Sequence, residues 1–195
     1  MSLRVVVSLG TVFIVVATVM PLLLSTDVYS YALYGRMSSI HHVNPYIVLL
    51  NDFRSDPLFP WTAQIWSDSP AVYGPSFMVL ASLLTGVVRG TTSLVWTFKL
   101  IAGVATIGTL LLVARTSPRL SPNRAAFAAA LIGWNPVVLF HVVAGGHNDA
   151  LVTLAVAAAF ALLADPSQKA RIGHVTTGRD QAPKNSVGSA NCLPL

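Results

Sequence analysis

The sequence predicts an all-α protein, a polytopic bundle of transmembrane helices with one extracytoplasmic loop. Three observations carry that expectation. Hydrophobic residues make up 54% of the 195 and charged residues only 10%, against roughly 25% charged in a soluble domain. Several uncharged apolar runs approach the ~20 residues that cross a hydrocarbon core as a helix. One stretch, 25–72, is too polar to span and too aromatic for a disordered linker.

Residues 5–24, VVVSLGTVFIVVATVMPLLL, are uncharged and follow Arg4. A signal peptide also has a basic start, but its apolar core runs about 7–15 residues and ends at a small-residue cleavage site. This run is longer and ends in PLLLSTD, so residues 1–24 read as a retained first membrane helix. Residues 25–72 then hold Asp27, Asp52, Asp56 and Asp68 among Tyr29, Tyr31, Tyr34, Tyr46, Trp61 and Trp66. This composition predicts an ordered loop on the membrane surface, since Trp and Tyr favour the headgroup region. Within it, DVYSYALYGRM reads as the start of a short interfacial helix capped by Ser25, Thr26 or Asp27.

Residues 73–164 carry the remaining predicted membrane helices. A short run covers 73–88. A second covers 92–114 and contains one charge, Lys99, placed to snorkel or to face a cavity. RTSPRLSPNR, with Arg115, Arg119 and Arg124 and two prolines, reads as a loop. The run 125–144 is broken by Asn135-Pro136. GGHND (145–149) follows, and a last apolar run extends to about Ala164. From Asp165 to Leu195 the chain turns polar without apolar periodicity and is expected to be disordered.

Sidedness conflicts with a simple count. Arg4 assigns the N-terminus to the cytoplasm and the 25–72 loop to the outside. If every run crosses, the triple-arginine loop falls outside and GGHND inside, against the positive-inside rule. The conflict lifts if Asn135-Pro136 divides its run or if residues 75–88 do not cross.

Charge and cysteine content exclude other classes. The net charge of +5 is scattered, with no basic cluster interleaved with aromatics, so nucleic acid is not an expected partner. Cys192 is the single cysteine and has no ligand spacing. His41 and His42 are adjacent, an arrangement that rarely converges on a metal without further partners. No cofactor is implied, and no ligand set for a divalent ion stands out.

Two places carry candidate chemistry. Asp27 sits where the first span leaves the membrane, a partly desolvated position suited to a general base. If residues 27–36 are helical, Tyr31 and Tyr34 lie at i+4 and i+7, near its face, placed to stack on a sugar or hydrogen-bond to it. Helix capping is the competing role for Asp27. GGHND is the second place. Its glycines permit a tight turn and close approach, and His147, Asn148 and Asp149 then present polar groups at a membrane boundary. Here too capping of the following helix competes. Arg36 and Arg54 are candidate phosphate ligands. Tyr73 joins the substrate-binding candidates, although Tyr73-Gly74-Pro75 also suffices as a helix start.

The order of these segments resembles a known family. A membrane helix is followed by DVYSYALYGRM, VNPY (43–46), W…AVYGP (66–75), WNPVVLF (134–140) and GHNDAL (146–151). The pattern resembles the GT-C polyprenyl-phosphate-sugar glycosyltransferases, most of all the actinobacterial polyprenol-phosphomannose-dependent α-1,6-mannosyltransferases. The resemblance covers roughly residues 5–164. It implies a GT-C-like bundle in the cell membrane with an extracytoplasmic active site. A sugar, mannose by resemblance, passes from a polyprenyl-phosphate donor to a glycan or glycolipid acceptor. Asp27 matches the family's catalytic base. Arg36 would meet the departing phosphate, while His147 and Asp149 orient hydroxyls. The family has about ten or more spans, so the resemblance also implies an N-terminal fragment whose activity alone is in question. A transporter, with Lys99, His141, His147 and Asp149 lining a polar path, and a non-catalytic membrane subunit are the competing classes.

Overall fold

The computed structural model describes residues 1–164, and the expectation for 165–195 lies outside the described residues. Those residues fold as helices and turns without a strand. Six α-helices are present: α1 (Leu3–Val19), α2 (Asp27–Ser39), α3 (Pro75–Val87), α4 (Thr91–Leu120), α5 (Ala125–Gly133) and α6 (Asp149–Leu163). A π-helical segment, Val137–Val143, lies between α5 and α6.

Close contacts fix the directions of the helices. Lys99 of α4 reaches the carbonyl of Met20 at the end of α1, Gly103 lies against Thr18, and the Leu110 side chain packs beside Gly10. The α4 helix therefore runs antiparallel to α1. Gly10 also faces Gly133, so closely that a Cβ at either position would meet the other's Cα at about 3 Å. The Trp134 indole donates to the Val6 carbonyl at 3.0 Å. From Gly133 beside Gly10 the chain advances to His147 beside Asp27, so α5 and the π segment ascend alongside α1. Gly146 packs on Lys99, and Leu154 packs on Gly108, so α6 descends with α4.

The bundle thus has two chemically distinct ends. Arg4, Arg115, Arg119 and Arg124 fall toward the end where α1 begins. Asp27, Lys99 and His147 share the opposite end. Beyond that end α2 and α3 lie side by side and point the same way. Tyr31 meets Phe77 with ring centroids 5.0 Å apart, Gly35 touches Ala81, and Ser39 bonds Thr85 at 2.9 Å. A core of Val28, Tyr31, Leu33, Met37, Leu50 and Leu94 joins α2, the loop and the first turns of α4. A second core, with Ile14, Leu110, Ala129 and Val143, ties α1, α4, α5 and the π segment together.

Three local features differ from the sequence reading. The run 73–88 yields a helix of only 13 residues, starting at Pro75 because proline fits the first helical turn. The α4 helix extends to Leu120 and absorbs most of the arginine-rich segment read as a loop. Pro118 sits in its last turn, where it costs the helix the bond an N–H would give to the Ala114 carbonyl, and the helix ends two residues later. The Asn135-Pro136 break produces a 41° bend between the two halves of its run. There the Asn135 Oδ1 accepts from the Val137 N–H at 2.9 Å and restarts the helix.

Among the described residues, α4 is the one helix long and apolar enough to cross a membrane by itself, and the bent pair makes a second if it counts as one span. The outward faces of the shorter helices are apolar all the same. Val12, Phe13 and Val16 on α1, Phe127 and Leu131 on α5, and Val152, Val156 and Phe160 on α6 are all exposed.

Candidate active site

Four positions at helical spacing on α2 start the site. Asp27 opens α2, and its backbone N–H donates to the Ser25 hydroxyl at 3.1 Å. One turn on, Ser30 and Tyr31 occupy i+3 and i+4, and Tyr34 follows at i+7, so all four fall near one side of the helix. Asp27, Ser30 and Tyr34 line a cavity of about 50 Å³ with Trp66, Ser69 and Tyr73. That space holds a few waters or one hydroxymethyl group. The Ser30 hydroxyl is buried without a hydrogen-bond partner. Tyr34 donates to the Ser69 carbonyl at 2.9 Å.

The GGHND segment completes the site from the other half of the chain. Gly146 adopts φ +67°, the left-handed region, and presses on the Lys99 backbone. Gly145 lies against the His141 carbonyl and the His147 ring, leaving no space for a Cβ. The turn delivers His147 into the interior. Its Nδ1 stands 3.9 Å from Asp27 Oδ2, 3.8 Å from Asp149 Oδ2 and 3.3 Å from the Tyr31 hydroxyl. Tyr31 donates its proton to Asn148 Oδ1 at 3.3 Å. Both Tyr31 contacts are satisfied together when His147 carries its proton on Nδ1, which leaves Nε2 a lone pair; that Nε2 is buried and unpartnered. The His141 ring lies 4.2 Å away, tilted by 33°.

The electrostatics follow from this crowding. Burial, then the neighbouring His141, lowers the His147 pKa, outweighing the opposite pull of Asp27 and Asp149. A depressed value keeps the imidazole neutral at pH 7. Burial raises Tyr31 and Tyr73 well above the usual phenol range and pushes Tyr34 up to about 12. All three stay protonated donors. Tyr31 is held by edge-on contacts to Tyr73 at 4.9 Å, Phe77 at 5.0 Å and Phe98 at 6.0 Å. Such a packed aromatic set fixes its hydroxyl.

The structure therefore brings together Asp27, Tyr31, Tyr34, Tyr73, His147, Asn148 and Asp149. It places Arg36 elsewhere. Nine residues along α2 from Asp27, Arg36 is paired through Nε with Asp56 Oδ2 at 2.8 Å, and His41 meets the same oxygen at 3.1 Å. Arg54 bonds Asn51 in the loop. Among the described residues, no three His, Cys, Asp or Glu side chains are disposed to hold a metal ion. Ser30 escaped the sequence reading, and His141 entered it only in the transporter alternative. Ser30 was detectable as the i+3 neighbour of Asp27. The stacking of His141 on His147 had no helical-spacing signal, because it depends on the π segment and the turn at Gly145-Gly146.

Comparison with known proteins agrees with the resemblance. Residues 1–187 match the family described as alpha-(1->6)-mannopyranosyltransferase, N-terminal domain. Over 141 residues the chain is 33% identical to a probable alpha-(1->6)-mannopyranosyltransferase of Mycolicibacterium smegmatis. That match covers 68% of this chain and 24% of the relative, so it corresponds to about a quarter of that protein. No solved structure matches. The chain belongs to the alpha-(1->6)-mannopyranosyltransferase N-terminal domain family.

Proposed function

We propose that this family member supplies the catalytic end of a membrane mannosyltransferase that uses a polyprenyl-phosphate-linked sugar as donor and a glycan or glycolipid as acceptor. The observation that carries the reading is the His147 Nδ1, which stands 3.9 Å from Asp27 of the other half of the chain and 3.8 Å from Asp149 of its own. Asp27 is the general base. It takes the proton of an acceptor hydroxyl as that oxygen attacks the anomeric carbon, and the sugar's bond to the phosphate oxygen breaks. The polyprenyl phosphate leaves with the bonding electron pair. The neutral His147 lies between the two carboxylates and orients them without quenching the base. The Ser30 and Tyr73 hydroxyls offer donors to sugar oxygens, and Tyr31 and Tyr34, whose protons go to Asn148 and Ser69, offer oxygen lone pairs to sugar hydroxyls.

Topology supports an extracytoplasmic site on the cell membrane. With α1, α4, the α5–π pair and α6 as four crossings, α3 remains with α2 on the Asp27 side. Arg4, Arg115, Arg119 and Arg124 then share the cytoplasmic end, which satisfies the positive-inside rule. GGHND falls on the same side as Asp27. The outward Val, Leu and Phe residues face lipid.

The test uses membranes containing the chain, supplied with radiolabelled polyprenyl-phosphomannose and a mannoside acceptor. Replacing Asp27 with Asn lowers transfer by at least about 100-fold, the contribution of a general base. Equal transfer by both proteins contradicts the proposal.

A further inference from the structure

Lys99 is the charged residue that the site above does not use. It is 2% exposed, and its ammonium turns onto the Met20 carbonyl at the end of α1. The ring centre of Trp96 lies 5.2 Å from that ammonium. Among the described residues no carboxylate lies within 4 Å of it. An interior cation offset only by a carbonyl dipole and an aromatic face is costly, and such residues mark ligand sites within membranes. Snorkelling does not account for it, because the side chain is buried and its ammonium is turned onto α1.

The ammonium borders an open cleft of about 500 Å³, walled by Met20, Leu22, Tyr29, Val95 and Trp96. The walls are mainly apolar, and the neighbouring Val19, Leu23 and Leu24 are exposed. The cleft adjoins the catalytic end. Lys99 packs on Gly146, the residue before His147, and Tyr29 lies two residues from Asp27. A cation at the head of an apolar cleft selects an anion that carries an apolar chain.

We propose that Lys99 and this cleft bind the phosphate and first isoprenoid units of a polyprenyl phosphate, a role distinct from that of Arg36, whose guanidinium is held by Asp56. The inference rests on the donor class proposed above and names the residue that receives its phosphate. Lys99 is a ligand-binding residue here, and it takes no proton in the reaction.

The experiment titrates the purified chain in detergent with polyprenyl phosphate, phosphatidylglycerol and inorganic phosphate, read by native mass spectrometry. Polyprenyl phosphate binds at least tenfold tighter than phosphatidylglycerol, and inorganic phosphate does not compete. Lys99→Met lowers that affinity at least tenfold, and Lys99→Arg keeps most of it. Leu22→Trp fills the cleft without touching the lysine and lowers affinity to the same degree. Undiminished binding by Lys99→Met or Leu22→Trp overturns the inference and leaves the catalytic role of Asp27 standing. Equal affinity for phosphatidylglycerol, or competition by inorganic phosphate, overturns the isoprenoid assignment and the donor class with it.

Discussion

The α2 region presents two aspartates in opposite circumstances. Asp56, from the loop, is buried and fully engaged, with Arg36 at 2.8 Å, His41 at 3.1 Å and the Leu58 N–H at 2.9 Å. Burial alone would raise its pKa, but the Leu58 N–H, His41 and Arg36 outweigh that and hold it below the usual carboxylate value. Asp27, at the start of α2, is partly exposed, and its near neighbour is the neutral His147 at 3.9 Å, beyond hydrogen-bond length. Around it lie a hydroxyl and an imidazole nitrogen, both buried without partners. A satisfied carboxylate holds a loop in place. A carboxylate among unsatisfied groups, like the proposed base Asp27, has acceptor capacity left for a further hydroxyl.

Substitutions at the two aspartates should therefore fail in different ways. The largest expected effect is the loss of transfer in Asp27→Asn, at least about 100-fold, with thermal stability nearly unchanged. Asp56→Asn does the reverse. It leaves Arg36 unpaired against a buried site and costs about 2–3 kcal/mol, seen as an earlier unfolding transition in detergent. If Asp56→Asn abolished transfer at full stability, the contrast between the two aspartates would collapse.

Next in size is Gly35→Ala. A Cβ there runs into the Ala81 carbonyl oxygen and the Thr85 hydroxyl. Overpacking of this kind costs about 1–3 kcal/mol. It separates α2 from α3 on the Asp56 side, so stability falls more than the KM for acceptor rises.

The smallest effect concerns pH. A His147 pKa depressed in the folded chain means that the unfolded chain binds the proton first as pH falls below the ordinary 6.5. The stability of the neutral form is full above that value and is lost on acidification. Thermal unfolding between pH 7 and pH 5 should show this slope, and His147→Gln should flatten it. An equal slope in the variant would remove His147 from the explanation. Asp56 acts lower, below its ordinary 3.8, where acid removes its partners' contribution.

Much of the Asp27 side was legible in the sequence because the signal was local. Tyr31 and Tyr34 stand at helical spacing from Asp27, and α2 begins at that residue. The GGHND turn was legible for the same reason, since two glycines before three polar residues form a tight turn. That the two sites are one was not legible. It depends on the bend at Asn135-Pro136 and on a 13-residue α3 that stays beside α2. Nor was the pairing of Arg36 with Asp56 foreseeable. The segment between them lacks regular periodicity and is shaped by short 3₁₀ turns at Leu50–Phe53, Phe59–Trp61 and Gln64–Trp66. Only tertiary packing decides which carboxylate such a loop delivers to an arginine.

Labelling of single cysteines shows whether Asp27 and GGHND lie on one membrane face. With Cys192 replaced by Ser, the variants Asp149→Cys, Ser55→Cys and Arg119→Cys would be treated in intact cells with a thiol reagent that does not cross membranes. Asp149 is 66% exposed at its side chain, so its replacement is reachable. The account predicts labelling of Asp149→Cys together with Ser55→Cys, and labelling of Arg119→Cys only after the membrane is opened. Labelling of Asp149→Cys only with Arg119→Cys would place GGHND across the membrane from Asp27 and contradict the account.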